Sequence, residues 1–130
     1  MTTTTSLPLA KELLELGLKI ETEKWWVSCD EFSHNWNISN SKVGWKESIP
    51  APSTDELLEV LPCCIYKDTD SFNLCISKNP LGFWVKYDSK YRTISIDNKS
   101  LPEALGLMCK YLLTNGYEFN GKEIVSKDET

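Results

Sequence analysis

The sequence predicts an α+β fold: an antiparallel sheet of about four to five strands with about three helices packed mainly on one face. Three observations carry that expectation. Two S-x-x-E signatures, Ser53/Glu56 and Ser100/Glu103, stand at the head of apolar runs with helical spacing. Between them, short segments alternate apolar and polar residues and are separated by turn clusters, the pattern of a half-buried meander. The 130 residues, 41% hydrophobic and 25% charged, have the composition of one ordinary globular domain.

Taken in order, residues 1–5 are polar and expected to be frayed. Ser6-Leu7-Pro8 then opens a helix over about Pro8–Leu16, with Ser6 as N-cap and proline in the first turn, where a missing N–H costs little. Leu9, Leu13, Leu14 and Leu16 supply its apolar stripe, and Gly17 its stop. A strand is expected near Lys24–Cys29. Residues 30–50, rich in Ser, Asn and Asp, read as a long loop with one short strand around Lys42–Lys46. The second helix starts at the Ser53 capping box and ends before Pro62.

The meander follows: Cys63–Lys67, Phe72–Lys78, a turn at Asn79-Pro80-Leu81-Gly82, Phe83–Asp88, a turn at Ser89-Lys90, and Tyr91–Asp97. The third helix is the clearest element. Leu101, Ala104, Leu105, Met108, Tyr111 and Leu112 recur at helical spacing, and Asn115-Gly116 ends it. Residues 118–130 are polar and expected to form a tail.

Pleat parity sorts the strand residues. One face collects Trp25, Val27, Phe72, Leu74, Ile76, Phe83, Val85, Tyr87, Ile94 and Ile96, and should meet the helices. The other collects Trp26, Asn73, Cys75, Ser77, Trp84, Lys86, Thr93 and Ser95. Two tryptophans beside lysine and serine call for a cover. The 30–50 loop, a second copy or protein partner, and a small ligand or nucleobase are the alternatives, and Trp26, Trp84, Lys86 and Cys75 form the candidate interaction face.

Charge narrows the partners. The net charge is −5; residues 1–65 hold five lysines against ten carboxylates, and Arg92 is the single arginine. Phosphate neutralisation is then a weak driving force, so neither nucleic acid nor an anionic membrane is expected as a partner. No apolar run reaches the length of a membrane span, and MTTTTS carries no secretory pattern.

The chemistry-bearing motifs are mostly missing. The five cysteines (29, 63, 64, 75 and 109) contain no C-x-x-C, and they read as small hydrophobes of a reducing cytosol. No phosphate loop, dinucleotide fingerprint, nucleophile elbow or H-E-x-x-H occurs. His34 is the sole histidine, in a polar loop, and Asp68-Thr69-Asp70 reads as turn chemistry. No cofactor and no metal site are expected. A small enzyme or ligand-binding domain using the 30–50 loop, with Cys29 or His34 in a pocket, is the alternative function.

Two segments carry a resemblance: Ala51-Pro52-Ser53-Thr54-Asp55-Glu56-Leu57-Leu58-Glu59-Val60-Leu61-Pro62, and the run from Ser100-Leu101-Pro102-Glu103-Ala104-Leu105-Gly106-Leu107-Met108 to Leu112-Leu113-Thr114-Asn115-Gly116-Tyr117. With the opening helix and the Trp25-Trp26 strand, they resemble small uncharacterised proteins of bacterial phages, prophages and mobile elements. That resemblance implies a bacterial cytoplasm and supplies no activity or site residues. The expected role is therefore that of a non-enzymatic accessory protein, acting by protein–protein interaction or self-association through its aromatic sheet face.

Overall fold

In the computed structural model, the described residues are 4–28, 36–41, 47–67 and 70–126. They form an α+β fold with antiparallel sheets. Helix α1 (Leu7–Glu15) is capped by the Ser6 hydroxyl, which accepts from the Leu9 N–H. Its end is a Schellman motif: Leu18 N–H donates to the Leu13 carbonyl and Gly17 N–H to that of Leu14. Leu9, Ala10 and Leu13 are its buried side.

The chain then departs from the single-sheet expectation. Strand β1 (Trp25–Ser28) pairs with β2 (Asn37–Ser39) on one side and β3 (Glu47–Pro50) on the other. This three-stranded sheet is separate from the meander. The reason lies in the 30–50 segment, expected to be mostly loop. Its Asn37–Ser39 and Glu47–Pro50 stretches satisfy both edges of β1, so β1 has no free edge for the meander. The strand expected at Lys42–Lys46 lies outside the described residues, as do Cys29 and His34.

Helix α2 (Thr54–Val60) begins with the anticipated capping box: Glu56 N–H donates to Ser53 Oγ, and Ser53 N–H donates to Glu56 Oε1 at 2.9 Å. The Glu56 carboxylate also accepts from Thr22 Oγ1 at 2.7 Å and from the Glu23 N–H at 3.0 Å. One side chain thus starts the helix and ties down the approach to β1.

The meander is β4 (Cys64–Lys67), β5 (Asp70–Asn79), β6 (Gly82–Asp88) and β7 (Thr93–Asn98), in sheet order β4-β5-β6-β7. Within the meander parity largely holds: Phe72, Val85 and Tyr87 are buried on the helix side, while Asn73, Trp84, Thr93 and Ser95 are exposed on the other; Ile76, expected to meet the helices, is exposed, and Trp25 and Val27 belong to the other sheet. Helix α3 (Leu101–Thr114) lies on the inner face over β6 and β7, and α1 and α2 pack on α3 in turn. It is therefore buried over most of its circumference, which explains Ala104, Leu105, Gly106, Met108, Cys109, Leu112 and Leu113 on one helix. Gly106 is where α1 approaches most closely; a Cβ there would stand 2.7 Å from Leu9 Cδ2 and 2.9 Å from Thr5 Cγ2.

Three further expectations are corrected. Glu103 makes no capping box with Ser100. Its carboxylate accepts from the Ser6 N–H at the head of α1, and the Ser100 N–H is taken by Asn98 Oδ1. Residues 118–130 are not all tail: β8 (Tyr117–Phe119) and β9 (Ile124–Ser126) form a hairpin, and Ile124 is fully buried in the core. Ile124 anchors the hairpin, with Tyr117 and Phe119 packed against the core beside it. Nor is the start frayed at residues 4 and 5. Thr4 bridges Ser53, Thr5 N–H donates to the Pro52 carbonyl, and both residues are buried.

Candidate interaction face

The outer face of the four-stranded sheet is built by alternation alone. Reading across the strands, Ser77, Trp84 and Asp97 form one row, Cys75, Lys86 and Ser95 the next, and Asn73, Asp88 and Thr93 a third. Three of the four expected site residues therefore meet here. Trp84 is 41% exposed, Lys86 Nζ lies 5.9 Å from its ring centroid, and Cys75 is half-buried directly across from Lys86. Such a lysine–indole contact at a wet site contributes about 0.5–1 kcal/mol.

Trp26 does not join them. It sits in the other sheet, half-buried, and its Nε1–H donates to the Thr5 carbonyl at 3.1 Å. Pleat alternation puts Trp26 on the Trp84 face only when β1 shares the meander's sheet, and β1 pairs with β2 and β3 instead. Nor does the described part of the 30–50 segment lie over Trp84. Asn37–Ser39 and Glu47–Pro50 belong to the β1 sheet, and Trp36 sits against α1, with Lys11 Nζ 5.0 Å from its ring.

The structure adds a feature that parity could not reveal. The β5–β6 hairpin ends in Asn79-Pro80-Leu81-Gly82, closed by the Leu81 N–H donating to Asn79 Oδ1 at 2.8 Å. Gly82 (φ +148°) lets this tip rest against the end of β7: a Cβ there would lie 2.4 Å from the Asn98 carbonyl oxygen. Leu81 is 85% exposed at the tip. A groove of about 930 Å³ runs along its inner side, between Phe83, Leu101 and Pro102 and the start of α2. A second, of about 680 Å³, runs along its outer side between Leu81, Trp84 and Asp97. Lys78 lines the first groove and Lys99 both. Asp55 and Asp97 are the carboxylates along them. The tip is thus an apolar ridge between two grooves, with lysines at its flanks in a chain of net charge −5.

The groups with strongly displaced proton affinities stand elsewhere. Burial pushes the Tyr87 phenol and the Cys109 thiol far up, and both sit in the core. Tyr87 there donates to the Pro62 carbonyl at 2.6 Å. Among the described residues no cluster of three or more His, Cys, Asp or Glu could hold a metal ion, and no helix is long and apolar enough to cross a membrane.

No family model, curated protein or solved structure matches the chain.

Proposed function

We propose that this protein is a non-enzymatic interaction protein that binds a partner polypeptide at the end of the β5–β6 hairpin, with Leu81 and Trp84 as apolar anchors and Lys78, Lys86 and Lys99 receiving carboxylates. The observation that carries the reading is the shared groove of Leu81 and Trp84, both exposed, on a ridge with a second groove behind it. Exposed aromatic side chains such as Trp84 are the usual anchors of an interface, and flanking charges select the partner. The partner's chemistry follows: an acidic segment carrying one or two large apolar side chains. The net charge of −5 opposes an acidic partner at long range, so Lys78, Lys86 and Lys99 have to act locally, at contact distance. An accessory role in a bacterial cytoplasm rests on the resemblance to phage and mobile-element proteins. The remoteness of Tyr87 and Cys109 from both grooves supports a non-enzymatic reading.

The test is selection from a displayed random-peptide library, followed by titration of the selected peptides into the wild type and variants. Acidic, apolar-anchored peptides should emerge, and Leu81→Asp and Trp84→Ala should each weaken their binding about tenfold or more. Both positions are exposed, so circular dichroism should be unchanged. Peptides that bind both variants as well as the wild type, or a selection that returns no such class, would refute the reading.

A further inference from the structure

We infer that β7 is a self-pairing edge, through which two copies of this chain join their meanders into one continuous eight-stranded sheet. The inference stands on backbone geometry and is independent of the hairpin grooves.

Strand β7 is the last strand of its sheet, and among the described residues only β6 pairs with it. Which of its amides face outward follows from one bond. Ser89 N–H donates to the Arg92 carbonyl at 2.8 Å, so 89/92 is a hydrogen-bonded pair. In an antiparallel ladder bonded and non-bonded pairs alternate. Ile94, Ile96 and Asn98 therefore turn their N–H and C=O groups to β6, opposite Tyr87, Val85 and Phe83. Thr93, Ser95 and Asp97 turn theirs outward. Proteins blunt such edges with Pro, Lys, bulges or very short strands. Strand β7 has no Pro, Lys or bulge and runs six residues as Thr-Ile-Ser-Ile-Asp-Asn, Asp97 being its one charged side chain. The opposite edge, β4, is four residues long, follows Pro62 within two residues and contains Lys67.

The occupant is set by self-complementarity. Place a twofold axis at Ser95. Each outward residue of β7 then meets an outward residue of the second copy: Ser95 meets Ser95, and Thr93 meets Asp97 in both directions. Every outward N–H and C=O of the three gains a partner. On the inner face, Ile94 of each copy falls opposite Ile96 of the other. Both are half-exposed in the single chain, and this pairing removes them from water. On the outer face no like charges stand directly opposed, and the Trp84/Lys86 rows of the two copies become one surface. A single short edge buries little area, so the dimer should be a weak one, with a dissociation constant of roughly micromolar order.

Sedimentation across a concentration series tests this with variants at Ser95, whose side chain is exposed and whose N–H faces away from β6. The wild type should show a monomer–dimer equilibrium. Ser95→Pro deletes the outward donor without touching the β6 ladder, and should weaken dimerisation at least tenfold with an unchanged urea midpoint. Ser95→Lys and Ser95→Glu each place like charges across the axis and should be monomeric alone. Mixed in equal amounts they should dimerise. A wild type that stays monomeric at several hundred micromolar overturns the inference. So does a dimer that survives Ser95→Pro, or a lysine–glutamate mixture that stays monomeric.

Discussion

Thr5 shows how one atom can be out of place in an otherwise satisfied structure. Its N–H and carbonyl are both used, by Pro52 and by the Trp26 indole, yet its Oγ1 is buried with no hydrogen-bond partner among the described residues. Its methyl group lies where α1 and α3 come closest, at Gly106. Valine has nearly the shape of threonine and nothing to leave unpaired. Removing a buried unsatisfied hydroxyl recovers about 1 kcal/mol or slightly more. Thr5→Val should therefore raise the melting temperature by about 3–5 °C. A fall in melting temperature on calorimetry would show that the hydroxyl has a partner after all. Nothing in the sequence announced this residue. Met-Thr-Thr-Thr-Thr-Ser reads as a frayed end because threonine is neutral in hydropathy, and only the tertiary placement of Trp26 and Pro52 makes Thr5 a core residue.

At the scale of elements, the β5–β6 hairpin tip and the β7–α3 connection are seated on one another through Gly82. Its φ of +148° is open to glycine and strained for any residue with a Cβ, and an added Cβ would collide with the backbone of Asn98 and Lys99 rather than with a movable side chain. Gly82→Ala should therefore cost about 2–4 kcal/mol, well above the 1 kcal/mol or so typical of a point substitution. It should also displace the Leu81 ridge, so peptide binding at the grooves should fall with it; a urea midpoint within error of wild type would count against the geometry. Legibility in the sequence divides here along the same line. Meander strands, three helices and all three serine N-caps were readable from period and cap chemistry, because those are local; only the Glu103 half of the third capping box was taken elsewhere. The β8–β9 hairpin was not read, although Tyr117 and Phe119 alternate and Asn120-Gly121 is a hairpin turn signal, because the polar residues around Ile124 hid its short strands. The separate β1 sheet was not, because strand pairing is a long-range choice: Trp25–Ser28 alternates correctly whichever sheet it enters. Of the candidate site, alternation alone brought Trp84, Lys86 and Cys75 together. The ridge at Leu81 stayed hidden, since a turn reads the same whether it points into water or between two grooves.

Over the whole molecule, stability at high pH is governed by the two titratable groups that α3 and β6 bury side by side. Cys109 and Tyr87 both lie at 0% exposure, and desolvation is the leading cause of the upward displacement of each. In the unfolded chain the thiol ionises near pH 8.5 and the phenol near pH 10. In the folded chain both stay protonated well beyond those values. Folding then holds protons that the unfolded state releases, so the stability these groups contribute is fully present below about pH 8 and is lost as pH rises. The decline should begin near pH 8.5 with Cys109, at about 1.4 kcal/mol per pH unit, and steepen above pH 10 as Tyr87 joins it. Urea unfolding at a series of pH values from neutral to well above the ordinary phenol range measures both limbs. Cys109→Ala lowers stability at every pH through the cavity it leaves, but it should flatten the segment between pH 8.5 and 10, whereas Tyr87→Phe should flatten only the steeper limb above it. The thiol reports the same fact chemically: Cys63 is exposed and should react with an alkylating reagent in the native protein, while Cys109 should react only at the rate of unfolding. A native Cys109 labelled as fast as Cys63 would mean that α3 is not seated on the sheet, and with it would go the inner layer that leaves Trp84 and the β7 edge facing outward.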